Sequence, residues 1–452
     1  MTSPVASLQD AVRGRVVLPG EPGWDDARAA WNLAVDQRPA AVVEAGSADD
    51  VAAVLRAGLR VAPQSTGHGA EALGPLDDTV LLKTSALRGI SLDAEARVVR
   101  VEAGVRAVEA AEAAGAQGLA PVLGFATTVG VTGLVLSGGT GWLSRRHGLA
   151  ASNARAFEVV LATGEQVRVD AEHEPELFWA LRGGGGRGAV VVAVELDVHP
   201  LPAVSGGMIA WPAEQAAEVL GAFRALGASA PEELGAAFRA LTLPPLDVIP
   251  PPLRGRRIAA VACAFLGPHA EAEERLAPLR AIGGVLVDTF APIEPAGLVR
   301  VAGDPEAPLP ARGDGFLLRE LGDDTVALVA EQAATGALAP LTVLELRLLG
   351  GATREPHGDG GALTGFAASH SVFASGATPT PEAMGAMLAR LAQVRADLAP
   401  WTADQVILSA ATADRDPARA FGPAGWERLQ RVLDDYDPER RIVGGELSST
   451  SS

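Results

Sequence analysis

Gln64-Ser65-Thr66-Gly67-His68-Gly69 sets a histidine between two glycines directly after the apolar run at 59–63. A loop of small residues lets the backbone approach a phosphate, and its N–H groups can line a concave anion site. His68 then stands where such a loop would hold a nucleotide cofactor. One loop of this kind is compatible with an ordinary turn, so the rest of the chain has to decide. A second cluster over 124–142 carries Gly130, Gly133, Gly138, Gly139, Thr140 and Gly141, and a third ends in Gly183-Gly184-Gly185-Gly186.

Loops that cradle a ligand need rigid supports. The apolar run at 40–45 with its paired valines predicts a strand, and Ser47 with Asp50 three residues on predicts a helix start. That helix runs over 51–55 until Gly58 stops it, and 60–63 is extended again, so a βαβ unit delivers the histidine loop. Further strands are predicted at 79–83 and 98–103, and a helix at 108–114 closed by Gly115. A strand pair at 157–162 and 166–170 turns about Thr163-Gly164, and an apolar strand covers 189–198 before Pro200. After 201 the texture changes: strands at 258–266, 285–290, 342–348 and 371–376 alternate with helices at 269–282 and 382–398. That pattern suits an antiparallel sheet covered by helices on one side. Pro-rich stretches at 244–252 and 303–312 read as surface connections, and the Ser-rich tail at 448–452 as disordered.

In their order and separations the glycine segments, together with Arg145-Arg146-His147-Gly148-Leu149 and Leu177-Phe178-Trp179, resemble the FAD-binding domain of the vanillyl-alcohol-oxidase superfamily. Within it they look most like the berberine-bridge-enzyme-like oxidoreductases of bacteria. The resemblance is dense over 24–200 and thinner afterwards. It implies an α+β fold with a two-subdomain PCMH-type FAD-binding domain over 34–201 and a substrate domain over 202–412, an antiparallel sheet covered by helices. A C-terminal segment over 413–452, holding Tyr436-Asp437-Pro438, would pack back on the FAD domain. The resemblance assigns FAD contacts to Gln64, Ser65, Thr66, Gly67 and Gly69, and to Val129, Gly130, Gly133, Gly138, Gly139, Thr140 and Gly141. Val194 would meet the adenine through its backbone. His68 matches the histidine that bonds covalently to the flavin 8α-methyl. The cysteine that gives many relatives a second link falls on Ala126, so at most one covalent link, through His68, is expected. Two departures, Arg187-Gly188-Ala189 in place of Asn-Phe-Gly and Ser137 in a glycine triplet, bear on how the ring is seated.

The implied reaction is oxidation of a hydroxyl or C–H bond of a small, largely uncharged molecule, with hydride passing to flavin and then to molecular oxygen. Val129 falls where a small side chain leaves oxygen a path to the ring, which implies an oxidase. Alcohol oxidation needs a group within hydrogen-bond reach of the hydroxyl proton. Relatives commonly use a tyrosine, but the only one here is Tyr436. The candidates are His370, Glu345, Arg347 and Thr140, with His370 and Glu345 put first; Glu345 shares a strand face with Arg347 two residues on. Two other readings stay open: a dehydrogenase of the same fold using another acceptor, and a non-catalytic FAD-binding protein.

Composition narrows the class. With 452 residues, 48% hydrophobic and 20% charged, the chain is globular and long enough for two domains. A net charge of −18 argues against nucleic acid or an anionic membrane as partner. The lone cysteine, Cys263, lies in an apolar run and gives neither a disulfide nor a metal site. No stretch reaches the roughly 20 apolar residues that span a bilayer, and no secretory signal is read at the start, so a cytoplasmic location is expected. A Rossmann NAD site is disfavoured, since no Gly-x-Gly-x-x-Gly joins a strand to a helix with a later acid. Lys83 is the only lysine; oligomeric state is open.

Overall fold

The computed structural model describes residues 8–354, 360–363 and 365–445; the Ser-rich tail lies outside them. Among the described residues the strands form three sheets. The first holds β1 (Arg15–Val17), β2 (Ala41–Glu44), β3 (Arg60–Gln64) and β4 (Thr79–Lys83) in the order β1-β2-β4-β3. β2, β4 and β3 run parallel. Parallel neighbours need a crossover, and the helix Ala48–Arg56 supplies it, burying Val51, Val54 and Leu55. Ser47 caps that helix, accepting from the Asp50 N–H at 3.3 Å. β3 and β4 therefore end side by side at the carboxyl edge of the sheet, where the histidine loop leaves and where ligands of parallel sheets bind.

The second sheet holds β5 (Ile90–Asp93), β6 (Val98–Glu102), β7 (Leu119–Pro121), β8 (Ala154–Leu161), β9 (Gln166–Asp170) and β10 (Ala189–Pro200), in the order β5-β6-β10-β8-β9 with β7 on the end of β10. A register shift between Val191 and Ala193 changes the phase of β10 against β8. Val190 and Val192 consequently pack with Val43, Val61 and Leu82 of the first sheet, while Val194, Leu196 and Val198 join the other core. This shared layer makes two α+β subdomains of one unit.

The third sheet holds β11 (Ser205–Pro212), β12 (Leu234–Thr242), β13 (Arg257–Phe265), β14 (Val287–Asp288), β15 (Ala291–Pro292), β16 (Ala311–Leu318), β17 (Val343–Leu348) and β18 (His370–Ala377). Its order is β14-β11-β13-β12-β17-β18-β16, antiparallel throughout. One face is covered by the helices Ala216–Ala228, His269–Arg280, Asp323–Thr335 and Pro381–Leu398, with Phe223, Leu276, Val329 and Leu391 against Phe238, Val261, Leu346 and Val372. The other face turns to the first domain, where Ala237, Ala262 and Ala264 share a core with Trp142 and Leu143. The extended stretch predicted at 285–290 shrinks to the two-residue edge strand β14. Sequence reasoning did not name β11, β12, β16 or the helices Ala216–Ala228 and Asp323–Thr335.

The C-terminal helix Pro417–Tyr436 sets Leu429, Val432 and Leu433 in the same core as Leu177. Beyond it the chain runs alongside β3, the Val61 N–H donating to the Arg441 carbonyl and the Val443 N–H to that of Val61, both at 2.8 Å.

Candidate functional site

The histidine loop is shaped by the segment that crosses above it. Gly67 has φ +86°, and a Cβ there would stand 2.8 Å from the Ala30 Cα, so only glycine fits. The Trp31 N–H donates to the Thr66 carbonyl at 2.9 Å. That contact lays the indole flat on His68, ring centres 3.9 Å apart. On its edge His68 Nε2 lies 2.9 Å from Thr128 Oγ1 of the second glycine loop. Burial pushes the His68 pKa down to about 4, against the opposing contact with Thr128. The imidazole is therefore neutral near pH 7, with a lone pair on one ring nitrogen.

Beneath the loop, Lys83 closes β4 with its ammonium buried. Nζ donates to Gln64 Oε1 at 2.6 Å and to the Ala29 carbonyl at 2.7 Å. Gln64 in turn donates to Gln37 Oε1 at 3.1 Å. Burial lowers the Lys83 pKa to about 8, with Glu44 across the register raising it in part.

In the second loop the glycines divide into two kinds. A Cβ on Gly141 would fall 1.6 Å from the Leu123 carbonyl oxygen, and Gly138 and Gly139 have φ +93° and +71°. Gly130 abuts the first loop, its Cβ position 2.9 Å from Ser65 Oγ. These four answer to the fold itself. At Gly69 and Gly133, by contrast, nothing of the described protein would come within 4 Å of a Cβ. Ser65 Oγ and Thr132 Oγ1 are buried without a hydrogen-bond partner, an arrangement that is costly unless something polar completes it. Open space beside two glycines, and orphaned hydroxyls on loops that touch, fit a dinucleotide lying across both loops. Val129 is half-buried at the start of this stretch, its carbonyl accepting from the Ala107 N–H.

Facing the second loop across a narrow cleft is the uncovered side of the third sheet. Phe125, Thr140, Trp142 and Arg145 line one wall, Arg347 and Leu349 the other. Glu345 and Arg347 share this face, as their alternation on β17 requires. Glu345 is 2% exposed and paired with Arg239 Nε at 2.8 Å and with Arg347 Nε. Burial opposes its ionisation, yet Arg347 and Arg239 outweigh that and hold the carboxyl below the usual range. It is a carboxylate locked between guanidiniums, unsuited to taking up a proton near pH 7.

Two expected residues, His370 and Val194, fall elsewhere, while Tyr436 lies in the expected packing segment. His370 pairs in register with Leu318 and Leu348, so it shares their face, against the helices. Its ring lies 5.8 Å from that of Phe223. The sheet separates it from the cleft, and it is not the base. Val194 is fully buried between Val101 and Phe157, with strands on both sides of its backbone, so it offers nothing to an adenine. Tyr436 donates to Glu174 at the joint with the helix Pro175–Leu181, far from the cleft in the fold. Cys263 is buried in β13, its thiol pushed up to about 12 chiefly by burial, and takes no part. Trp31, Thr128, Lys83 and Arg239 belong to the site region and went unpredicted; only Lys83 had a visible mark, as the sole lysine.

A family profile described as an FAD binding domain matches residues 39–170. (R)-6-Hydroxynicotine oxidase of Paenarthrobacter nicotinovorans is 33% identical over 206 residues, 44% of this chain and 45% of that protein. Over residues 39–170 this chain matches an FAD binding domain. The match spans less than half of that relative, whereas a likeness of fold to solved structures extends over the whole chain. The crystal structure of 6-hydroxy-D-nicotine oxidase from Arthrobacter nicotinovorans superposes with a TM-score of 0.82 at 23% identity, covering 99% of both chains. The berberine-bridge-enzyme-like protein 1 of Physcomitrella patens does so with 0.84 at 19% identity, covering 100% of both. Among the described residues no helix is long and apolar enough to cross a membrane, and no group of three His, Cys, Asp or Glu could hold a metal ion.

Proposed function

We propose that this protein is an FAD-linked oxidase that takes a hydride from a small-molecule substrate and passes the electrons to molecular oxygen, its flavin held by one covalent bond to His68. The observation that carries it is the meeting of the two loops: Ser65 and Thr132 orphaned, Gly69 and Gly133 open, and a neutral His68 at the junction. Gln64, Ser65, Thr66, Gly67, His68 and Gly69 would hold the cofactor from one side, and Val129, Gly130, Gly133, Gly138, Gly139, Thr140 and Gly141 from the other. When bound, FAD supplies a two-electron acceptor for a hydride from substrate carbon.

The chain's own residues do the rest. Trp31 and Thr128 fix the His68 ring from face and edge, so the ring keeps one orientation. Phe125 and Trp142 exclude water from one side of the cleft, and Glu345 with Arg239 holds Arg347 in place on the other. Oxygen as acceptor is supported by the half-buried Val129, a small side chain at the mouth of the second loop. A cytoplasmic setting belongs to this reading, which a chain with one cysteine suits.

Acid precipitation of the purified protein tests it. Flavin absorbance should stay with the polypeptide, and His68→Ala should release it into the supernatant while the fold survives. Complete release from the wild type would remove the covalent bond; absence of any flavin, even after incubation with FAD, would remove the proposal.

A further inference from the structure

We propose, building on that flavin reading, that the cleft selects a substrate carrying a carboxylate, and that Arg347 is the residue that selects it. The sequence alone points to an uncharged molecule; the charges lining the cleft point the other way.

Arg347 stands on β17 with its guanidinium carbon 4.0 Å from the centre of the Phe125 ring and 5.6 Å from that of Phe373. Two aromatic neighbours hold a planar cation in one orientation. Its Nε is committed to Glu345. The two terminal nitrogens have no hydrogen-bond partner among the described residues, and the residue lines the cleft. Glu345 cannot absorb that charge by itself, because its other oxygen faces Arg239 at 2.8 Å. Arg239 reaches on to Asp304 at 3.0 Å, so these two cations and two anions cancel.

A second cation then tips the balance. Arg145, on the opposite wall, is 7% exposed and spends its bonds on the carbonyls of Leu349, Ala230 and Pro231 rather than on a carboxylate. Its Nε is buried without a partner. Glu232 acts on it only from beyond ion-pair distance; a buried guanidinium without a carboxylate in contact is costly, and a ligand anion in the cleft lowers that cost. The paired terminal nitrogens of Arg347 match the two oxygens of a carboxylate in a fork that an ammonium would not reproduce. The remaining walls mix Phe125, Trp142 and Leu349 with Thr140, Ser144 and Thr353, and the buried Trp142 N–H has no partner among the described residues. The chemical class is thus a compact monocarboxylate.

Benzoate and its neutral isostere benzamide are the probes, titrated calorimetrically into the holoprotein and followed in parallel by the absorption of the bound flavin. Benzoate should bind saturably and shift the flavin spectrum, and benzamide should bind at least tenfold more weakly. Arg347→Gln should erase that preference and Arg347→Lys should restore only part of it. Equal binding of the two probes to wild type overturns the proposal, as does a flavin-loaded Arg347→Gln protein that still prefers benzoate. Should Arg347→Gln not fold, the comparison of wild type with Arg347→Lys decides. Calorimetry needs no flavin, so a protein that carries none would defeat the oxidase reading while leaving the charge preference measurable.

Discussion

Replacing Lys83 with Met should flatten the alkaline arm of the stability curve. The ammonium sits under the histidine loop, 7% exposed, and burial brings its pKa from 10.5 to about 8. Glu44, itself 3.8 Å from Arg15, is the charged group across the register, and Gln64 and Gln37 are the polar neighbours. A lysine whose folded pKa is depressed binds fewer protons folded than unfolded between those two values. Stability therefore rises with pH from about 8 to 10.5, and the contribution is absent below 8. The shift corresponds to roughly 3 kcal/mol, a large share of a typical folding free energy. Methionine removes the titration but leaves Gln64 Oε1 and the Ala29 carbonyl without a donor, at about 1–3 kcal/mol each. At pH 7.5 the variant should therefore lie near or below the wild type, and at pH 10.5 well below it. Urea unfolding at intervals of half a pH unit between 7.5 and 10.5 measures the difference. Subtracting the curves cancels Cys263 and Tyr436, whose raised pKa values act in the opposite direction in both proteins. Two parallel curves would refute the reasoning, because Lys83 would then ionise alike folded and unfolded.

Three other changes follow from the same geometry. His370→Leu should leave flavin reduction unchanged within about twofold; since burial first and Arg145 second lower its pKa to about 4, stability that is present above 6.5 and lost as pH falls towards 4 should decline less in the variant under acid titration. Glu345→Gln should cost roughly 3–5 kcal/mol by thermal or urea unfolding, because two guanidiniums lose their shared carboxylate, and an unfolding midpoint matching wild type would contradict the pairing. Val129→Leu should slow reoxidation of reduced flavin by oxygen in stopped flow while substrate reduction continues, and equal reoxidation rates would remove the argument for oxygen as acceptor.

The cofactor half was legible because its constraints are local. Gly141 must be glycine owing to a carbonyl only eighteen positions back in the chain, and Gly67 owing to backbone at Ala30. Such requirements leave glycines in a fixed order, which a sequence displays directly. The substrate half obeys a different rule. Strand β18 is largely buried on both faces, so its side chains do not alternate between apolar and polar, and nothing in the string tells which parity faces the cleft. His370 and Ser371 differ by one position and lie on opposite sides of the sheet. Val194 fell to the same ambiguity on β10, where a shift of phase after Val191 adds to it. Lys83 was visible as a singular residue, but its burial depends on Gln64 and Ala29 coming together from two other segments.

Parity also explains how the two domains divide the work. On β12, β17 and β18 the residues Arg239, Glu345 and Phe373 stand in register on one face, as do Arg347 and Ser371. One position along, Phe238, Leu346 and Val372 form the core under the helices. Each strand thus carries a cleft residue and a core residue alternately, and the two sets answer to different demands. Changes on the helix face must preserve volume, since a cavity there loosens the whole layer. Changes on the cleft face must preserve charge balance, since Arg239, Glu345, Arg347 and Asp304 neutralise one another and each loss exposes a neighbour. On the proposed reading, substrate choice can therefore drift by altering Arg347 without touching the packing under the helices, whereas His370, a titratable residue on the packing side, bears on the pH range over which the fold survives.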